Sequence, residues 1–343
     1  MVAILSSCAA EPSPEDYRPP DTGHCYGVAL SGSEEILCLS YAFGMYGWPR
    51  SLIALDWTTG AELWNRGIAR GTRTGPTGLK ASLGCDLIAV ETRAAPGVPM
   101  EDRGADHCFV SLDAVEDRES VGWRMRVRRA RDGTVVSESP VDARLSWPIR
   151  LVPNGTFSWF VVEPRPVGAI LRCTVSPCWD LCSELLRQSL PTGLAPYYLM
   201  AQGSLRDELL CLSWDIEGVI WRIQTRGPYA EWSARYRLPD LGRFPSMLWM
   251  DGASVHVALG APGVGIPVYP VYDWHWDAAW DEWQSNGIIT KNPVWVKYVD
   301  VRNGDRVEVL GGTVSRCTSA GRTVWTTLVR EPVLNDSAGP VWK

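Results

Sequence analysis

The side chains best suited to binding or chemistry are concentrated in one stretch, Tyr269 to Trp283, which reads YPVYDWHWDAAWDEW. Between Asp273 and Trp283 it holds four Trp, one His and four carboxylates. Indole faces stack on sugar rings while carboxylates accept hydroxyl hydrogens, so Tyr272, Asp273, Trp274, His275, Trp276, Asp277, Trp280, Asp281 and Trp283 can line a carbohydrate groove. The same composition suits a protein-docking loop, because Trp and Tyr dominate interface hot spots. A third reading is purely architectural. Trp276, Trp280 and Trp283 recur at helical spacing, as they would on a short helix that packs as a cap.

Catalytic patterns are sparse by comparison. Glycoside hydrolysis needs two carboxyl groups at a set separation, and Asp273, Asp277, Asp281 and Glu282 supply candidates without fixing a distance. The histidines, at 24, 107, 256 and 275, show no metalloprotease spacing. No nucleophile elbow or phosphate-binding glycine loop is present. Among ten cysteines only Cys173, Cys178 and Cys182 cluster, at a spacing unlike that of zinc knuckles and with no His nearby. They are expected as buried thiols, with a disulfide between two of them as the alternative in an oxidising compartment. These residues imply no metal, no cofactor and no catalytic set, and point toward a binding protein rather than an enzyme.

Composition narrows the partners. A net charge of −6 over 343 residues excludes the concentrated basic surface that nucleic acid requires. The run Arg124 to Arg131 alternates with Met125 and Val127 and reads as the wet face of a strand. No stretch approaches the roughly 20 apolar residues of a membrane span. Leu5-Ser6-Ser7-Cys8, followed by a segment rich in Pro, Glu and Ser, resembles a bacterial lipobox and its tether. Met1 to Leu5 is short for a signal and no basic residue precedes Cys8, so the alternative is that Met1 to Ser7 is itself a strand. Lipidation at Cys8 would place the protein at a cell surface; without it the expectation is cytoplasmic. Asn154-Gly155-Thr156 and Asn335-Asp336-Ser337 match the glycosylation acceptor, which matters only in a eukaryotic secreted protein.

The elements that position these residues are β-strands. Short apolar runs alternate with turns drawn from 32 Gly and 25 Pro, and no helical period is sustained. Eighteen Trp against five Phe suits sheets bridged by flat rings. In Ser51 to Gly67, an apolar strand ends at Asp56, a turn follows with Gly60, and a second strand carries Trp64. Asp accepts hydrogen bonds from turn amides, Gly takes a positive φ, and the Trp can cover the turn. This A-L-D-x-x-x-G-x-x-x-W pattern resembles the repeat of the PQQ-like (quinoprotein-type) β-propellers. Asp300 and Gly304 keep the spacing but have Glu308 at the Trp position, and Arg129 to Gly133 keeps only the glycine. Quinoprotein enzymes are longer and carry a vicinal Cys pair that this chain lacks, so the resemblance implies the fold and not the cofactor.

Six stretches resemble the most buried strand of a blade: Glu35 to Ala42, Asp86 to Arg93, Thr156 to Glu163, Glu208 to Asp215, Ala253 to Gly260, and Arg322 to Arg330. The closest match among them is EEILCLSY at Glu34 to Tyr41 with DELLCLSW at Asp207 to Trp214. The spacing predicts an all-β chain: one propeller of six four-stranded blades, with seven as the alternative. An irregular arm spans 1–22, the propeller spans 23–343, and insertions fall near 94–119 and 261–292. So little chain follows Arg330 that the amino terminus is expected to complete the last blade. The resemblance implies a scaffold that binds a protein partner through its loops, with a carbohydrate-binding or glycoside-hydrolysing propeller as the alternative.

Overall fold

The computed structural model describes residues 24–31, 35–42, 50–69, 87–90, 107–116, 121–141, 150–154, 158–162, 169–176, 180–188, 198–203, 207–213, 219–238, 244–252, 254–261, 268–277, 279–290, 295–300, 302–310 and 312–330. The arm 1–22, with Cys8 and the Met1–Ser7 stretch, lies outside them. The described residues form strands and turns.

Each blade is an antiparallel meander of four consecutive strands. Blade one is β1 (His24–Ser31), β2 (Ile36–Ala42), β3 (Arg50–Asp56) and β4 (Glu62–Ala69); blade two is β5 (Leu87–Val90), β6 (Cys108–Glu116), β7 (Val121–Arg129) and β8 (Val135–Pro140). Blade three comprises β9 (Arg150–Pro153), β10 (Ser158–Val162), β11 (Ile170–Val175) and β12 (Leu181–Leu185). The chain then lays a short strand, β13 (Arg187–Gln188), parallel to the outer edge of blade four, which is β14 (Tyr198–Gln202), β15 (Glu208–Ser213), β16 (Val219–Arg226) and β17 (Tyr229–Arg237). Blade five is β18 (Phe244–Asp251), β19 (Ser254–Ala261), β20 (Val268–Asp277) and β21 (Glu282–Thr290). Blade six is β22 (Trp295–Val299), β23 (Arg306–Leu310), β24 (Thr313–Cys317) and β25 (Thr323–Leu328). The first strands touch in the cyclic order β1, β5, β9, β14, β18, β22 and back to β1, which closes the ring as a six-bladed β-propeller.

Apolar clusters fill the seams between blades. Leu37, Leu39, Ile53 and Leu55 of blade one pack on Val307, Val309 and Val314 of blade six, while Cys38, Leu52 and Ala54 meet Phe109 and Ala130 of blade two. Further clusters join blades two and three, three and four, and four and five. Strand alternation makes this arrangement possible, since each blade must be apolar on both faces to wedge between two neighbours.

The hairpin at Asp56 behaves as its residue types require. Asp56 Oδ1 accepts from the Thr59 amide and hydroxyl, both at 2.7 Å, and these bonds hold its carboxyl below the usual carboxylate range. Gly60 takes φ +73°. Trp64 does not cover its own turn. It reaches the next blade, donating from Nε1 to Ala130 O at 2.7 Å, stacking on Phe109 and lying over Gly133. Trp325 repeats the contact one blade earlier: its Nε1 donates to Trp57 O at 2.7 Å, and a Cβ on Gly60 would stand 2.6 Å from its ring. Trp221 likewise packs between blades three and four.

Several expectations change. The last blade takes four strands, β22 to β25, so among the described residues it reaches the four strands of the other blades without one from the amino terminus. Closure instead rests on side chains: Trp325, Thr327 donating to Gly60 O, Arg316 donating to Trp57 O, and Asn65 donating to Arg330 O. Of the six stretches expected as a blade's most buried strand, four hold the second strand of a blade, whereas Asp86 to Arg93 carries an innermost strand and Arg322 to Arg330 the outermost. The second strands there are β6 and β23. β23 went unseen because Arg306 and Glu308 interrupt its apolar pattern. The spans expected as insertions hold regular strands: β6 lies within 94–119, and β20 and β21 lie within 261–292.

The EEILCLSY and DELLCLSW match is also out of phase. Glu35 and Asp207 both take positive φ just before the strand, and their carbonyls accept the amides of Trp57 and Thr225. Counted from that point Cys38 and Cys211 differ by one residue, so Cys38 faces the following blade and Cys211 the preceding one. Burial raises both thiols above the ordinary range and pushes Cys173 up to about 12. Cys173 and Cys182 are free rather than disulfide-bonded, Cys173 buried and Cys182 exposed; Cys178 lies outside the described residues.

Candidate functional site

The aromatic and acidic stretch forms the outer hairpin of blade five. β20 runs to Asp277, a turn follows, and β21 starts at Glu282, so the expected capping helix is replaced by strands. The helical spacing was coincidental: Trp276 and Trp283 stand directly opposite each other across the hairpin, and Trp280 sits in its turn. Alternation sorts the side chains of β20 onto two faces.

Trp274 and Trp276, with Trp283 of β21, turn toward blade four and pack on the cluster of Leu210, Leu212, Leu248, Val255 and Val257. Trp276 meets Trp283 edge to face with centroids 5.6 Å apart, and Tyr236 of blade four lies 5.0 Å from Trp276. Trp283 Nε1 donates to Arg237 O at 2.7 Å. These indoles wedge two blades together. Trp276→Ala is therefore expected to lower stability by about 2–3 kcal/mol, below the full range for buried Trp because the ring is only partly buried. Urea unfolding measures it, and an unchanged midpoint would return Trp276 to the list of ligand-binding residues.

The opposite face of blade five is polar. His256 of β19 pairs with Asp273 of β20 (Nδ1 to Oδ1 3.1 Å), and Asn286 of β21 donates to Asp273 Oδ2 at 2.8 Å. His256 is stacked between Trp249, at 5.1 Å, and His275, at 5.7 Å. His275 Nδ1 is buried without a hydrogen-bond partner. Sequence spacing picks out Asp273 and His275 but misses His256, Trp249 and Asn286, which join them only through cross-strand register.

Blade six answers with polar groups of its own. Arg306 and Glu308 form an ion pair at 2.5 Å with both side chains buried, and Cys317 stands opposite Arg306 in register. Burial and the nearby Glu308 raise the Cys317 thiol. Among the described residues, the seam between blades five and six is the one without an apolar cluster.

The hairpin tip is the third component. Asp277 Oδ1 accepts the Ala279 amide at 2.8 Å, and Asp281 takes φ +54°, the conformation that Gly60 adopts in blade one. The Asp277 carboxylate and the Asp281 backbone shape the turn. Trp280 projects from it, 72% exposed. Tyr272 is half-buried on β20. Among the repeat residues, Asp300 and Gly304 form the turn between β22 and β23, not the outer hairpin that Asp56 and Gly60 close. Asp300 is buried and binds the Arg302 guanidinium, which holds its carboxyl below the usual range. In blade six the outer hairpin is Cys317 to Trp325, where Gly321 and Trp325 repeat the Gly60–Trp64 spacing with Cys317 in place of Asp.

No group of three metal-ligating side chains converges among the described residues. Asp273 is occupied by His256 and Asn286, and Asp277 by its own turn, so their hydrogen bonds serve the architecture.

The sequence matches no family model and no curated protein. Solved structures similar to it are β-propellers and other proteins at low identity. The β-propeller domain of the Trilobed protease from Pyrococcus furiosus is 11% identical, with a TM-score of 0.38 over 89% of this chain and 92% of that one. The Aleuria aurantia lectin is 12% identical, with a TM-score of 0.41 over 78% and 77%. A putative 6-phosphogluconolactonase from Bacteroides uniformis is 8% identical, with a TM-score of 0.45 over 92% and 87%. At these values the propeller assignment rests on the strand order and closed ring of this chain itself.

Proposed function

We propose that this chain is a non-enzymatic β-propeller that holds a protein partner at the tip of the β20–β21 hairpin. The observation that carries this reading is Trp280: a large apolar ring, 72% exposed, on a turn fixed by Asp277 and Asp281 and braced from behind by Trp276, Trp283 and Tyr236. An exposed indole on a rigid mount loses little entropy on docking and offers a large contact area. Exposed Asp281 and Glu282 beside it favour a partner that presents a basic side chain next to an apolar pocket.

Trp280→Ala should leave stability within about 0.5 kcal/mol, as for other exposed positions. It should reduce recovery of one specific partner about tenfold or more in quantitative co-purification from the expressing cells, a loss of about 1.4 kcal/mol or more. Leu310→Ala, at an exposed site on blade six, is the control. A protein profile identical for wild type and Trp280→Ala would refute the docking role. A glycan reading draws on the same indole and its flanking carboxylates. Retention on a glycan array that is lost with Trp280→Ala would replace the protein partner with a sugar, and product release from chromogenic glycosides would make the chain a hydrolase.

The Asp56–Gly60–Trp64 hairpin and its partial copy at Cys317–Trp325 support kinship with the PQQ-like repeat. Surface anchoring through Cys8 belongs to the same proposal. Mass spectrometry of the native protein tests it, with a diacylglycerol adduct on Cys8 as the expected finding and an unmodified Met1 to Ser7 segment as the refuting one.

A further inference from the structure

Every blade ends in an outer strand whose far side presents backbone amides and carbonyls to whatever lies beside it, and soluble proteins blunt such edges with charge, proline or bulges. Five of the six outer strands do so with a charged side chain. β4 carries Glu62 and Arg66, β8 carries Glu138 and Pro140, and β12 carries Glu184. β17 carries Glu231, Arg235 and Arg237 and is already paired with β13. β21 begins with Glu282 and is broken by bulges and by Gly287. β25 differs: its register slips at Val324, between the Cys317↔Thr323 and Arg316↔Trp325 pairs, but it carries no charge of its own. Its sequence, Thr323-Val324-Trp325-Thr326-Thr327-Leu328, contains no charge, proline or glycine and consists of residues that favour strands, apart from Leu328.

The strand is also held in place. Its inner side pairs with β24 at Cys317↔Thr323 and, past a bulge at Val324, from Arg316↔Trp325 to Thr313↔Leu328. Trp325 and Thr327 are bonded into blade one through Trp57 O and Gly60 O. On the alternate positions Val324 is 42% exposed, Leu328 is 56% exposed, and Thr326 is exposed between them. Among the described residues no strand pairs with the outer side of β25. Blade four shows that these sheets accept a fifth strand, since β13 adds to β17.

We propose that the outer edge of β25 docks an extended segment of another protein, with β-branched residues at its centre and a carboxylate at each end. The charge requirement comes from Arg322 and Arg330, both exposed, which bracket the strand. A second copy of this chain fits poorly: antiparallel pairing centred on Thr326 would set Arg322 of each copy beside Arg330 of the other, and like charges directly opposite destabilise a pair. A strand ending in Asp or Glu satisfies both arginines while its backbone completes the ladder. This surface is independent of Trp280.

The test uses a fluorescent peptide as long as the Arg322–Arg330 span, alternating Val and Thr between terminal Asp residues, with a Lys-ended version as control. Anisotropy should show the Asp-ended probe binding the full chain about tenfold or more tighter than the Lys-ended one. Arg322→Glu with Arg330→Glu should reverse that preference, and Trp280→Ala should leave it unchanged. Amide exchange should slow within 323–328 when the Asp-ended probe is added. Val324→Lys with Leu328→Lys should abolish binding, and the exchange and charge-reversal measurements stand even if that variant fails to fold. Absence of binding, equal binding of both probes, or protection elsewhere would overturn the proposal. So would a concentration-dependent dimer abolished by Val324→Lys, which would make the occupant a second copy.

Discussion

Trp325→Ala is expected to remove about 3–5 kcal/mol of stability, the range for truncating a buried Trp. The ring is 8% exposed at the seam where blade six meets blade one, and among the described residues no strand is shared across that seam. Its loss opens a cavity among Leu55, Trp57, Val307 and Val314 and leaves Trp57 O with only the Arg316 bond. Trp325→Phe isolates the second effect, keeping most of the packing and forfeiting one hydrogen bond worth about 1 kcal/mol. Gly60→Ala attacks the contact from the other side. It forces a side chain onto φ +73° and sets a Cβ 2.6 Å from the indole. Part of that cost is steric and should disappear in the Trp325→Ala background, so the two substitutions should be non-additive. Denaturant unfolding of the four variants measures the coupling. A Trp325→Ala cost under about 1 kcal/mol would show that closure rests elsewhere, because buried Trp truncations do not fall that low.

Arg306→Met should be comparably damaging, at about 3–5 kcal/mol, because it leaves Glu308 buried without its counter-charge. Both side chains are nearly inaccessible, 6% and 7% exposed, and Arg306 also donates to Thr318 O at 2.9 Å. The double substitution Arg306→Met with Glu308→Leu should recover most of the loss, since replacing a whole buried pair by apolar groups is often neutral or better. Such recovery would mean that the polar seam between blades five and six is not required for folding. Failure of the double variant to recover would make the pair part of the seam's architecture.

The repeating strand, the abundant Trp and the Asp56–Gly60–Trp64 hairpin made a six-bladed propeller legible in one dimension, because period-two alternation and turn chemistry are local. Blade phase was less legible. β25 and β23 exchange roles because a buried ion pair disguises one and an anchoring Trp makes the other look like a core strand. The EEILCLSY repeat misleads for a related reason: a one-residue offset from the preceding turn inverts every side chain, and nothing in eight matched letters records that offset.

At blade five, the sequence by itself determined that Trp274, Trp276, Trp280 and Trp283 lie close together beside carboxylates. Their division of labour was decided in three dimensions. Three of the rings became a wedge against blade four and one became an exposed tip, and Asp273 met His256 across a strand pair that separates them by 17 positions in the chain. Turn residues act within a few bonds, whereas strand register and the face each side chain presents are settled only when the neighbouring blade arrives to bury one side.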